Sequence, residues 1–560
     1  MQRLSCRSVG LLLCAANHPT SRVRAMRLVG VVRYLFDREQ GVGDRLVARW
    51  LFLRALGGIY FAAFLALVFQ ACGLIGTAGI LPARTYLAAL HGAGALRFWY
   101  APSLLWISSG NGMLLTLMWV GLAASVLLLC NVAPRWMLLV CFVCFLSFVG
   151  VSQDFGAYQS DGMLLEAGLL SLFVAPSGLL PGWGTRSLAS RAAVFLLLWE
   201  WFRIYFQSGV VKIQSGDPTW RNLTAMYEYY QNGPLPTWVG WYLQHLPNWF
   251  HVGTAGLTLF MEFVLVWMAF LPRPFRIACF VIVTVWQAGV IATANYAFLN
   301  YLVLVLAVFL LDDAVLLRFV PRRFRAGLPP VQSNAGLRAE SETQRENETR
   351  SFGWRHGVVV AVTAVVLTWQ GYATTAQLIR MLLPVPLPRA PIAVLEPFRV
   401  ADSYGLFANM TPHRYEIEFQ GSDDGKTWKP YEFRFKPQEV KDRPHIYAPY
   451  QPRFDWNLWF ASLSNWQQEP IVPITEERLL DGDRDVLSLF RSSPFPQRPP
   501  RFVRAMIWQY WFSTPVQKRL TDAWWTRTLR SEYAPTITKM PDGRYAAVDE
   551  PTWMGPTEYR

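Results

Sequence analysis

Several ionisable residues lie inside or beside stretches of this chain apolar enough to enter a membrane. Asp161 precedes the run 162–176 and Glu166 lies within it. Glu200, Arg203 and Lys212 occupy the run 192–212, and Glu262 sits in the middle of TLFMEFVLVW. Ionisable groups at membrane depth are costly and are kept for a reason. Two kinds of reason fit these types and spacings. Paired carboxylates such as Asp161 and Glu166 can do acid–base work, and a lysine held against an apolar wall can act as a base. The plainer reading is charge pairing. Arg203 is a partner for Glu166, or for Glu200 three residues away on the same helix. Glu262 has no local partner, so it must face the bundle interior and meet Lys212 or Arg203. Lys212 can also extend to the membrane interface or pair with Asp217. Lys212, Glu262, Asp161 and Glu166 are therefore the candidates for chemistry, and ion pairing is the expectation favoured for them.

The elements that position these residues are apolar runs. Nine qualify as spans: 53–76, 112–130, 136–152, 162–176, 192–212, 252–271, 275–293, 297–315 and 357–380. The fourth is short for a crossing, which needs about 20 apolar residues. Loop charge sets the orientation. The N-terminal segment, Arg135, Arg186 with Arg191, Arg273 and the Arg-rich loop 316–356 mark one side as inside. The alternating loops carry little positive charge, with Arg84 and Arg97 in 77–111 the weakest fit. Nine spans with an inside N-terminus put the C-terminal region outside. The expected domains are a cytoplasmic segment 1–52, a membrane region 53–315, a basic cytoplasmic linker 316–356, a ninth span 357–380, an outer domain 381–535 and a loose tail 536–560. The first 25 residues only faintly resemble a signal peptide and carry no expected role.

Composition agrees with this plan. The chain has 560 residues, 53% of them hydrophobic, with 25 Trp, 22 Tyr and 36 Phe. Aromatic loading of this kind suits membrane interfaces. The net charge is +14, and eight Arg, from Arg318 to Arg355, lie between the last two apolar runs. They read as a positive-inside loop and not as a nucleic-acid surface. Of the seven Cys, none lies after Cys279, so the outer domain has no disulfide of its own. Cys141 and Cys144 fall within LLVCFVCFLSFVG, where small buried side chains are expected in place of redox or metal chemistry.

The apolar run carrying Lys212 ends at Ser215-Gly216-Asp217-Pro218, where Asp217 caps and Pro218 opens a new helix. From Pro218 to Asn232, Trp220, Leu223, Tyr227 and Tyr230 recur at helical spacing. Trp238, Trp241, Tyr242, His245 and Trp249 form a second aromatic face. Trp220, Trp238, Trp241 and Trp249 are thus candidates for an outer membrane-interface loop, or for packing against neighbouring spans. Past the Pro-rich connector 384–391, YEIEF (415–419), TW (427–428) and YEFRF (431–435) alternate like three strands around the turn GSDDG. The turn also explains Asp423 and Asp424 without calcium. His245, His251 and Glu228 fall short of a metal site, and neither a metal nor a cofactor is expected. EIEFQGSDDGKTW resembles the strand–turn–strand signature of discoidin-like β-sandwiches. That resemblance implies a fold and not a sugar ligand.

Several blocks recur in a recognisable order. They are LIGTAGILPA (74–83), YQSDGMLLEAG (158–168), FRIYFQSGVVKIQSGDPTWRNLTAM (202–226), PLPTWVGWYLQHLPNWFH (234–251), ANYAFLNYLVLVLAVFLLDD (294–313), SYGLFANMT (403–411), APYQPRFDWNLWFASL (448–463) and SPFPQRPPRFVRA (493–505). In this order they resemble the lipase maturation factor family, from about residue 45 to about 535. The resemblance implies a multi-pass folding or assembly factor and not an enzyme. Its client would be a secreted protein, such as a dimeric lipase, and its place the endoplasmic reticulum membrane, or the inner membrane if the source is bacterial. The C-terminus lacks a KDEL-type signal. The outer domain would engage the client, and exposed aromatics are the usual anchors for that. The candidates are Trp428, Asp455, Trp456, Trp459 and Phe460. A second resemblance links IYFQSGVVKIQSGDPTW to the lysine-containing stretch of vitamin K-dependent γ-carboxylases. It would make Lys212 an intramembrane base. The fold expected is an α-helical multi-pass bundle of about nine spans with an outer, β-rich, discoidin-like sandwich.

Overall fold

The computed structural model describes residues 29–325, 328 and 354–556. Most of the expected linker 316–356, namely 326–327 and 329–353, and the first 28 residues lie outside the described residues. Long runs of Leu, Val, Phe and Ala form helices, because helices satisfy every backbone group without water. We label them α1 (Leu46–Ile75), α2 (Asn111–Leu129), α3 (Pro134–Val149), α4 (Gln159–Leu172), α5 (Arg191–Gln214), α6 (Asn248–Phe263), α7 (Arg273–Thr293), α8 (Leu299–Ala307) and α9 (Trp354–Leu382). Five are long and apolar enough to cross a membrane: α1, α2, α6 with its continuation to Phe270, α7 and α9. Each of the other expected spans falls short for a physical reason. Helix α4 has 14 residues and is about 21 Å long, against a hydrocarbon core of roughly 30 Å. Helices α3 and α8 are also short. Helix α5 has 24 residues but carries Glu200, Arg203 and Lys212.

Helix α5 is the hub, packing on α4, α6, α8 and α9, while α1 packs on α2 and α8. The first turn of α1 has no side-chain cap of its own. Asp313, just past α8, supplies one instead. It accepts from the N–H groups of Leu46 at 2.7 Å and Val47 at 2.9 Å, satisfying donors that a helix start leaves open. Cys141 and Cys144 are buried free thiols in α3, as their apolar setting suggests.

The C-terminal region is an antiparallel sheet in the order β2-β1-β3-β4-β5. Its strands are β1 (Arg414–Ser422), β2 (Lys429–Pro430), β3 (Phe502–Phe512), β4 (Trp525–Lys539) and β5 (Tyr545–Ala547). Two helices, α10 (Arg453–Ala461) and α11 (Ile471–Asp481), lie in the long connection between β1 and β3. Helix α11 packs on β3 and β4, and α10 packs on β1.

The structure corrects several expectations. The described residues form one sheet with helices against it, and not a sandwich of two sheets. The β1–β2 hairpin is present, and Asp424 is committed to its turn, accepting from the N–H groups of Lys426 and Thr427 at 2.8 and 2.7 Å. The third alternation, 431–435, is not a strand. Two of its N–H groups go to side chains, Phe433 N–H to Gln438 at 3.0 Å and Phe435 N–H to Asp455 at 3.2 Å, while Tyr431 N–H still reaches Phe419 O of β1 at 2.9 Å. The real neighbour of β1 is β3, with Arg414 opposite Tyr510 and Ser422 opposite Phe502. The segment from 536 is no loose tail in its described part. It completes β4, adds β5, and places Trp553 5.1 Å from the Tyr415 ring.

Glu476 on α11 is fully buried. Burial first, and then the nearby carboxylates of Asp549 and Glu477, hold its pKa well above the ordinary value. A raised folded pKa contributes stability below the ordinary glutamate value, and that contribution is lost as pH rises through the folded value. Glu476→Gln is therefore expected to raise the melting temperature of the detergent-solubilised protein more at about pH 8 than at about pH 5. A gap between variant and wild type that does not widen with pH would contradict this.

Candidate functional site

The helical region and the sheet domain meet along a strap of irregular backbone, residues 399–411. It runs beside α4 and α5 instead of over the surface. Buried irregular backbone needs a partner for each polar group, and side chains of the helices and of loop 213–251 supply them. Arg203 donates to Asp402 O at 2.8 Å, and Tyr404 N–H donates to Gln207 at 2.9 Å. Gly405 N–H donates to Gln159 at 3.0 Å, and Leu406 N–H to the Ser208 hydroxyl at 3.3 Å. Trp220 donates to Phe407 O at 3.0 Å, and Met410 N–H to Asp217 at 2.7 Å. Helix α4 comes close to the strap's side chains at Gly162, where a Cβ would stand 2.1 Å from a carboxylate oxygen of Asp402 and displace it.

Lys212 lies at the centre of this junction. Its ammonium is 2.8 Å from Glu262 Oε1 on α6 and 2.9 Å from Leu406 O, with Ser208 O at 3.4 Å. The Trp220 ring lies 5.0 Å from Nζ, within cation–π range. An ammonium has three donors, and each has an acceptor. Asp217 is not its partner. That carboxylate caps the next helix through Thr219 N–H at 2.8 Å and binds the strap. Glu166 accepts from Arg203 and, at 2.6 Å, from the Tyr404 hydroxyl. Arg203 thus turns toward α4 and the strap. Glu200, three residues before it, has both carboxyl oxygens buried without a hydrogen bond.

Asp161, the other carboxylate of the pair on α4, meets Arg453 at the start of α10. Arg453 Nη1 and Nη2 lie 2.7 and 2.8 Å from its two oxygens, and Nη1 also donates to Phe155 O at 2.6 Å. All these groups are buried. Nearby, Gln70 of α1 accepts from Arg453 N–H at 2.8 Å and donates to Gln451 O at 2.9 Å. On the sheet side, Arg414 of β1 pairs with Glu416, and Lys436 lies 2.8 Å from the same carboxylate. Arg414 also donates to Pro234 O at 3.0 Å, tying loop 213–251 to the sheet. The candidate carboxylates are therefore not gathered into one acid–base centre. Asp161, Glu166 and Glu262 each have a different cation, and the pairs lie along the seam between the two regions.

The candidate aromatics divide by burial. Trp456 and Trp459 are only 6% and 8% exposed, so they are not exposed anchors. Trp456 stacks on Tyr158 with ring centroids 5.1 Å apart. The reason is helical phase: α10 turns its Arg453, Trp456 and Trp459 inward. Asp455 is buried too, accepting from Phe435 and Lys436 N–H at 3.2 Å. Burial pushes its pKa up to about 6 despite those donors and the Lys436 charge. Phe460 is 44% exposed, and Trp428 is half-buried under the Arg504 guanidinium, 4.0 Å away.

The continuous helix expected over 218–232 breaks into Pro218–Arg221 and Tyr229–Asn232, with Leu223 at a positive φ between them. Trp220 and Trp241 are buried, the latter against Trp524 of the sheet domain at 5.5 Å. Trp238 is half-buried beside Arg443, 4.9 Å away, and Trp249 is 74% exposed. One group among the described residues has ligand atoms close enough for a metal: Asp37, Glu39 and His356. The ring nitrogens of His356 face different carboxylates, Asp37 at 3.1 Å and Glu39 at 3.8 Å, an arrangement that fits an ion-pair bridge.

Sequence reasoning did not single out Arg453, Tyr404, Asp402 or Arg414. The available signals were a lone arginine opening an aromatic helix and a Tyr-Gly pair just past the last span.

Apolar helices of spanning length, with a sheet domain locked to them through buried ion pairs, define an integral membrane protein with a fixed extramembrane domain. Two family models match the chain: the lipase maturation factor transmembrane domain over residues 47–318 and the lipase maturation factor C-terminal domain over residues 400–535. Lipase maturation factor 2 of Homo sapiens is 31% identical over 598 aligned positions, covering 89% of this chain and 83% of that protein. Lipase maturation factor 1 of Bos taurus is 30% identical over 518, covering 89% and 90%. The chain belongs to the lipase maturation factor family. No solved structure matches it.

Proposed function

We propose that this protein is a membrane-embedded maturation factor that assists the folding or assembly of secreted lipases or similar secreted clients. The observation that carries this reading is that both the helical region and the sheet domain match lipase maturation factors. The loop charges support nine crossings with the N-terminus inside, the shorter helices crossing with help from their neighbours. The sheet domain then faces the side where secreted chains fold: the lumen of the endoplasmic reticulum, or the periplasm in a bacterium. A non-enzymatic role is supported by Lys212, whose donors are all engaged by fixed acceptors and which is therefore poorly placed to act as a base.

The test is expression in cells depleted of their own lipase maturation factors, together with a dimeric secreted lipase. Recovery of lipase activity per unit of secreted lipase is the expected result. No recovery from well-expressed, membrane-inserted protein would overturn the reading. The contact surface has its own check. Phe460, exposed beside the buried aromatics of α10, is the anchor we favour. A photocrosslinking residue at 460 is expected to capture the lipase in native membranes, and one at buried position 459 is not. Equal capture from both would remove Phe460 from the site.

A further inference from the structure

A cavity of about 300 Å³ lies between α5, α6, α7, α8 and the strap. Ile204, Phe250, Val290, Leu299 and Val303 line it with apolar surface. Its lining reaches Val285, 70% exposed, and the exposed Gly289 on α7, as well as half-buried Thr254 and Thr258 on α6. Both α6 and α7 are among the helices fit to cross a membrane. The opening therefore faces hydrocarbon and not water.

Three buried polar atoms in the lining have no partner: the acceptors Glu262 Oε2 and Asn300 Oδ1, and the Tyr296 hydroxyl, which can donate or accept. Their neighbours are already engaged. Glu262 Oε1 takes Lys212 at 2.8 Å, and the Lys212 donors are used up as described above. Asn300 donates its amide to Gln287 at 2.7 Å, and Gln287 donates to the Tyr205 hydroxyl at 2.6 Å. That chain fixes the Asn300 amide with its oxygen left over. A buried acceptor without a donor is costly, so a fitting ligand brings hydroxyl groups. Among the described residues no free cation lines the cavity, and a carboxylate is part of its wall, so an anionic headgroup is disfavoured. The volume is at the lower end of ligand sites, roughly 300–1,000 Å³, which suits one chain and not two.

We infer that this cavity binds a neutral, single-chain lipid with free hydroxyls, a monoacylglycerol, entering from the bilayer between α6 and α7. The site is independent of client maturation and stands or falls without it. The test uses the full-length protein in nanodiscs and a monoacylglycerol with a diazirine in its acyl chain. The matching diazirine fatty acid serves as the anionic comparator. Labelling is expected to map to α6, α7 and α8, and the fatty acid is expected to label the same peptides far less.

Gly289→Phe closes the site. A Cβ there meets nothing within 4 Å, so the ring can enter the cavity without displacing backbone, and the label is expected to vanish. Asn300→Leu removes one acceptor and is expected to weaken binding by about tenfold, the worth of one buried hydrogen bond. If Gly289→Phe fails to insert, Thr258→Trp blocks the opposite rim. Undiminished labelling in the blocked, folded variant would overturn the inference, as would fatty-acid labelling equal to that of the monoacylglycerol.

Discussion

Arg453→Ala is expected to release the sheet domain from the helical bundle. The guanidinium binds both oxygens of Asp161 and the carbonyl of Phe155, at 2.6–2.8 Å, and all three residues are buried. Removing one member of a buried pair leaves an uncompensated charge, at a cost of about 3–5 kcal/mol. Whole-protein stability is only about 5–15 kcal/mol, so the loss is a large share of it. The same change removes the packing of the arginine on Phe148 and Tyr158, whose rings lie 5.3 Å away. The expected readout is a sharp gain in protease cleavage between 399 and 452 in membranes, with a lowered melting temperature. Asp161→Ala is expected to do the same. The double change Arg453→Met with Asp161→Leu is expected to recover part of the stability, because no charge is then stranded. Single variants as resistant to protease as the wild type would show that the pair does not hold the seam.

Lys212→Ala carries the second large effect, and it separates a structural from a catalytic lysine. The pair with Glu262 is buried, so the single change is again expected to cost about 3–5 kcal/mol and to reduce the amount of inserted protein. Lys212→Met combined with Glu262→Leu strands no charge, and its inserted level is expected to approach the wild type. If Lys212 acts only through this pair, the double variant also supports lipase secretion. A double variant that inserts normally but supports no lipase secretion would return Lys212 to the role of a base.

Much of the seam was legible one residue at a time. Glu262 in mid-span demands a buried cation, and Lys212 is that cation. Glu166 with Arg203 follows from the same rule, since charges at depth come in pairs. The choice among partners was not legible. Glu200 is the nearer partner for Arg203 by helical spacing, yet Arg203 turns to α4 because Glu166, Tyr404 and Asp402 O converge there. Trp456 and Trp459 read as surface anchors because aromatic residues in a polar domain suggest a contact face. They are buried because α10 lies against the bundle, which no local pattern reveals. Likewise, alternation at 431–435 suggests a strand, but Gln438 and Asp455 take up the N–H groups of Phe433 and Phe435.

The sequence by itself determined that the chain has apolar helices of membrane length, a β-containing C-terminal region and a family signature spread across both. These follow from composition, hydrophobic period and motif order, all of them local. Only the tertiary structure decided that the two regions form one seam. It did so because β1 pairs with β3 across a long insertion, and because the strap 399–411 lies beside α4 and α5, where side chains from distant segments satisfy its backbone. Long-range pairing depends on which buried donors and acceptors meet, and their spacing along the chain does not encode it.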